Sequence, residues 1–184
     1  MFQSQNNLEI VSALQSGEKH LRELARSFKV APSTAMRAID ILEAEGVVDC
    51  LTEGRNRICS LKMTPEARAY VMMAEQYRLL KLLRNPSLRR VIQELTSKTN
   101  GELIILFGSY ANDKARNDSD IDVYIETKSP ALKQKLQKIS DKLSIQTGSF
   151  DKSSELGREI IRNHLVIQNA ERFLALTGWK EANS

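Results

Sequence analysis

Along this chain of 184 residues, the spacing of apolar positions changes character near residue 100. Before that point it is mostly helical. Leu8, Val11 and Leu14 recur at helical intervals, and Gly17 stops that helix. Leu21, Leu24, Ala25 and Phe28 form an i, i+3, i+4, i+7 stripe that predicts a short helix over 20–29. Pro32 suits the first turn of a third helix. Ala35, Ile39 and Leu42 line its inner face, and Gly46 ends it. Two β-prone runs, 47–52 and 57–62, then flank Glu53-Gly54-Arg55-Asn56, which is a hairpin signal. Thr64 is placed to cap a helix running to about Arg84, with Tyr70, Met73, Ala74, Tyr77 and Leu80 as its stripe. After an interruption at Asn85-Pro86, a further helix spans 87–98.

From Glu102 onward strands alternate with helices. Leu103–Phe107 reads as a buried strand and Gly108-Ser109 as a turn. Ser119–Glu126 is a second strand with clear alternation. Residues 130–142 read as a helix, 143–147 as a weaker third strand, and 153–164 and 168–177 as helices. That alternation predicts an α/β half.

Composition adds little to this picture. The hydrophobic fraction of 41% supplies real cores, and no apolar run is long enough to span a bilayer. The first residues lack the basic-then-apolar order of a secretory signal, so a cytoplasmic location is expected. Cys50 and Cys59 fall on opposite arms of the hairpin. A cross-strand disulfide is one reading, but in a cytosolic chain two ordinary thiols are the favoured one. His20 and His164 do not stand at zinc-site spacing. The net charge of +4 is concentrated in residues 66–100, which carry 7 basic and 3 acidic side chains; residues 1–65 carry 8 of each. A DNA-binding surface in the first segment therefore requires charge sorted onto one face.

The densest chemistry lies between Leu106 and Ile125. On a strand, Asp120 and Asp122 share one face while Ile121, Val123 and Ile125 share the other. Two carboxylates so placed converge on a divalent cation, and magnesium takes hard oxygen ligands while leaving positions for phosphate oxygens. Gly108 lets the backbone approach a phosphate. A helix starting at Ser109 would aim its free N–H groups at that phosphate. The segment resembles the minimal nucleotidyltransferases of the DNA polymerase beta superfamily, whose signature is Gly-Ser, ten residues, then Asp-x-Asp. Here Gly108-Ser109 precedes Tyr110–Ser119 and Asp120-Ile121-Asp122.

The resemblance covers about residues 100–170. It implies that Asp120 and Asp122 hold Mg2+ (or Mn2+) as catalytic and metal residues, and that Gly108 and Ser109 hold a nucleoside triphosphate, with ATP the expected one. It implies transfer of a nucleotidyl group to a hydroxyl, with pyrophosphate released. Two departures bear on activity. The strand 143–147 offers Ser144 and Gln146 where the superfamily adds a third carboxylate, with Asp141 and Asp151 only flanking it. Asn112-Asp113 stand where the family often has Arg-Gly.

Residues 5–63 resemble prokaryotic winged helix-turn-helix regulators, through HLRELARSFKVAPSTAMRAIDILEAEGVV and the hairpin after it. The resemblance implies a recognition helix entering the major groove of double-stranded DNA. Ser33, Thr34 and Arg37 would face bases or phosphates, Arg55, Asn56 and Arg57 would sit at the wing tip, and Arg22 and Arg26 would add backbone contacts.

The organisation predicted is thus a two-domain α+β and α/β protein. A winged helix occupies 1–65, a helical connector and dimer-helix candidate 66–100, and a nucleotidyltransferase-like mixed sheet with flanking helices 101–184. The expected function is a DNA-binding transcriptional regulator, acting as a homodimer, with a nucleotide- and magnesium-binding domain that senses nucleotide or is weakly active. The alternative is an active nucleotidyltransferase that modifies a protein or small-molecule hydroxyl, antitoxin-like, with the winged helix for autoregulation. Neither reading involves a membrane.

Overall fold

The structure is a computed structural model and describes residues 2–54, 56–112, 114–116 and 118–179. The chain divides into two compact units, one holding residues up to Tyr77 and the other Arg78–Gly178.

In the first unit, α1 (Phe2–Leu14), β1 (Lys19–His20), α2 (Leu21–Ser27) and α3 (Pro32–Ala44) precede the hairpin β2 (Val48–Glu53) and β3 (Asn56–Leu61). The strands form one antiparallel sheet in the order β1-β3-β2, which is the winged-helix arrangement the pattern predicted. Leu24, Ala35, Ile39, Leu42, Val47 and Val48 are buried at its centre. The buried side of α1 includes Asn7 and Ile10 with Val11 and Leu14, so its inner stripe lies partly off the predicted one.

The hairpin register sets Cys50 opposite Cys59, with Cα atoms 4.1 Å apart, and the two are joined as a disulfide. This corrects the expectation of two thiols. That expectation rested on compartment, whereas direct cross-strand pairing is what brings the sulfurs together.

The long helix α4 (Pro65–Leu82) starts as its cap predicted, since Thr64 Oγ1 accepts the Ala67 N–H at 3.1 Å. Its buried residues are Ala67, Val71, Ala74 and Glu75. Of the Tyr70–Leu80 stripe only Ala74 is buried, while Met73 is 47% exposed and Leu80 65%. Large side chains suggested that stripe, but the small residues on the neighbouring face allow the closer approach.

The second unit is built on a four-stranded sheet in the order β6-β5-β4-β7. Its strands are β4 (Ile104–Phe107), β5 (Ile121–Ile125), β6 (Leu143–Thr147) and β7 (His164–Gln168). Only the β5–β6 pair is parallel, so the sheet is mixed as predicted. Helix α6 (Pro130–Gln137) supplies the crossover between β5 and β6. It stops short of the predicted 142, because residues 141–142 form a turn ahead of β6.

One sheet face, with Ile104, Leu106, Val123, Ile125 and Ile145, packs against Leu88, Val91, Ile92 and Leu95 of α5 (Pro86–Lys98). The stretch 66–100 is accordingly no independent connector. Helix α5 is a layer of the second unit, because its i, i+3, i+4, i+7 stripe needs a cover. The other face carries Tyr124, Phe107 and His164, beside α7 (Glu155–Arg162) and α8 (Ala170–Thr177). Strand β7 was not foreseen, since its apolar run of Leu165–Ile167 lies between two helical patterns and only its pairing with β4 makes it a strand.

Candidate functional site

Pairing across the second sheet aligns His164, Phe107, Asp122 and Ser144, one residue from each strand. Directly opposed residues point to the same face, so the Asp122 carboxylate stands between the Phe107 ring and the Ser144 hydroxyl. Asp120 precedes β5 by one residue and is exposed, whereas Asp122 is half-buried. Burial pushes the Asp122 carboxyl above its ordinary range; Ser144, donating a hydrogen bond to it, pulls the other way, and the charge of Asp120 adds to the rise.

Gly108 follows β4 with φ +68°, and a Cβ there would lie 2.7 Å from Asp122 Oδ2. Only glycine satisfies both the left-handed backbone and the contact with the carboxylate. The structure thus sets Gly108 against Asp122, with Asp120 near enough for its charge to act on the Asp122 carboxyl.

No helix begins at Ser109. Residues 108–112 form consecutive turns, and the Lys114 N–H donates to the Ser109 carbonyl at 3.0 Å. Tyr110 and Ala111 of this segment pack against the core from the turn. Backbone amides for a phosphate must therefore come from the turn itself, without a helix dipole. In the same turn Asn112 Oδ1 is buried and has no hydrogen-bond partner among the described residues. Its signal in the sequence was the departure from Arg-Gly; Asp113 lies outside the described residues.

The flanking aspartates do not replace the missing carboxylate. Asp151 accepts hydrogen bonds from the Ser153 N–H (2.9 Å) and Oγ (2.6 Å), which draw its pKa down. Asp141 is exposed in the turn ahead of β6. Among the described residues no three His, Cys, Asp or Glu side chains gather as a metal cage.

Further along the same face, Tyr124 OH donates to the Gly148 carbonyl at 2.8 Å, and its ring meets Phe150 edge-on. Burial first, and then the charge of Glu126, push the Tyr124 phenol up to about 12. Glu126 ends the row. It accepts a bidentate pair from Arg172, Nε to Oε2 and Nη2 to Oε1, both at 2.9 Å.

In the first unit, Ser33 and Arg37 are exposed on α3 and Thr34 is half-buried. Arg55 and the side chain of Asn56 lie outside the described residues. Arg57 does not project from the wing. Its guanidinium turns onto α3, bonding Asp40 Oδ1 at 2.9 Å, Glu43 Oε2 and Met36 Sδ. Burial acts to lower its pKa, but the hydrogen bonds and charges of the two carboxylates prevail, and the net effect is a rise. Sequence reasoning missed Asp40 and Glu43, although their i, i+3 spacing places them on one helix face.

The family model described as Nucleotidyltransferase domain matches residues 88–170, beginning within α5 as the packing of that helix requires. The model described as Bacterial regulatory protein, arsR family matches residues 4–49. No curated protein matches the chain. The two matched regions account for both folds seen above, and the chain carries a helix-turn-helix domain of the arsR regulator type joined to a nucleotidyltransferase domain.

Proposed function

We propose that the protein is a DNA-binding transcriptional regulator whose nucleotidyltransferase domain binds ATP with a divalent cation as a signal, with transfer slow or absent. The observation that carries this reading is Ser144, a hydroxyl, facing Asp122 where a third carboxylate would complete a transferase. The donor set fits one hard cation: two carboxylates one residue apart, one of them half-buried and held above its ordinary pKa by burial and by its neighbour. Asp120 and Asp122 would hold Mg2+ or Mn2+, and Gly108 and Ser109 the phosphates. When bound, the cation would neutralise the phosphate charge against the carboxylates. Winged-helix regulators act on half-sites as two-fold pairs, which is the ground for proposing a homodimer on double-stranded DNA.

The test is incubation with radiolabelled ATP and magnesium, alone and with lysate, for the native chain and for Asp120→Asn/Asp122→Asn. Magnesium-dependent binding without label transfer, lost in the double variant, is the expected result. Label transfer to a protein or small molecule that the double variant abolishes would replace the sensor with an active transferase, the second reading. Absence of any ATP binding would sink both.

A further inference from the structure

The exposed side of α3 carries an electrostatic contradiction. A helix that approaches a phosphate backbone should not present carboxylates, yet Asp40 and Glu43 lie on α3 beside Met36 and Arg37. Asp40 keeps 55% of its side chain exposed and Glu43 30%. Arg57 reaches across from β3 to bond both acids, with 21% of its own side chain exposed. One cation thus serves two acids and is spent inside the domain.

Beside this cluster lies a groove of about 710 Å³ bounded by α2, α3 and the wing, to which His20, Arg22, Glu23, Arg26 and Arg57 contribute, with Glu23 paired to Lys19 at 3.2 Å. Arg22 and Arg26 are exposed on α2. Among the described arginines at the groove, Arg57 alone has its guanidinium bonded to carboxylates on α3.

We infer that Arg57 is a positioning and charge-screening residue for DNA binding, not a DNA contact. It holds the wing strand against α3 and cancels Asp40 and Glu43, so that the groove can accept a DNA backbone phosphate on Arg22 and Arg26. The inference rests on the DNA-binding reading proposed above.

The experiment is fluorescence anisotropy of the full-length protein on a long mixed-sequence DNA duplex, titrated across a range of salt concentrations. Arg22→Ala and Arg26→Ala should each reduce the slope of log affinity against log salt by about 1, the signature of one lost phosphate contact. Arg57→Ala should weaken binding about tenfold at low salt, with the loss shrinking as salt screens the carboxylates it exposes to the duplex. Adding Asp40→Asn and Glu43→Gln to Arg57→Ala should restore native affinity, while the same two changes with Arg57 in place should alter it little, a coupling that loss of a direct contact would not produce. Arg57→Lys, which keeps a cation opposite the two acids, should retain most of the affinity and guards against a folding artefact. A loss in Arg57→Ala that persists undiminished in the triple variant would make Arg57 a direct contact and overturn the inference. If the native protein fails to bind duplex at low salt, the DNA reading itself falls, a result visible before any variant is measured.

Discussion

Each unit displays acidic side chains grouped on one face, and the two groups are answered differently. On α3, Asp40 and Glu43 are bridged by Arg57. On the β5 face, Asp120 and Asp122 have no cation bridged to them among the described residues, only the Ser144 hydroxyl. The contrast recurs within β5 itself. Glu126, four residues beyond Asp122, is clamped by Arg172, and its pKa is drawn down chiefly by that hydrogen bond, while burial pushes Asp122 up. Carboxylates paired inside the fold have their charge satisfied there. Carboxylates set side by side against a desolvating wall, without a counter-ion, are the ones a mobile cation would stabilise.

The largest effect expected from breaking this comparison is at Gly108. Gly108→Ala forces a Cβ into the Asp122 carboxylate at a left-handed backbone position. It should destabilise the second unit by about 1–3 kcal/mol and abolish nucleotide binding. Denaturant unfolding with and without ATP·Mg2+ would show it, and a variant that unfolds and binds like the native protein would remove the close approach from the argument.

Ser144→Asp sharpens the contrast by adding a third uncompensated carboxylate. Without metal it should lower the melting temperature, and millimolar magnesium should raise that temperature more than it does in the native chain. Equal magnesium responses would show that Ser144 does not face the cation site.

Alkaline pH probes the wall beside the carboxylates. The Tyr124 phenol is raised in the folded state to about 12 from an ordinary 10. The stability it contributes is fully present below pH 10 and should be lost as pH rises toward 12. Tyr124→Phe should flatten the stability profile over that window, as read by chemical denaturation at stepped pH.

The smallest effect concerns the clamped end of the strand. Glu126 is lowered in the fold, so its contribution is present above its unfolded pKa, near 4.5, and lost as pH falls through the folded value. Arg172→Ala should remove it with only a small loss of stability at neutral pH, because the pair is partly exposed. A larger loss in neutral-pH unfolding would mark the pair as a structural anchor.

Most elements were legible because their apolar spacing is self-consistent. The α5 stripe Leu88, Val91, Ile92, Leu95 and the alternation in Ile121–Ile125 leave little choice of secondary structure. The failures share a cause. Strand β7 is defined by the partner it pairs with, the turn at Ser109 by the way Tyr110 and Ala111 meet the core, and the buried face of α4 by which side chains let its neighbours come close. Local pattern is silent on all three.

The sequence by itself determined the Gly-Ser and Asp-x-Asp spacing and the order of helices before the wing, the latter because it follows from helical periodicity. Only the tertiary structure decided that Gly108 sits against Asp122, that Ser144 stands in the same row, that Cys50 and Cys59 are joined, and that Arg57 turns inward to two acids on α3. Those facts depend on strand register and on side chains meeting across elements. A chain read in one dimension does not contain those distances.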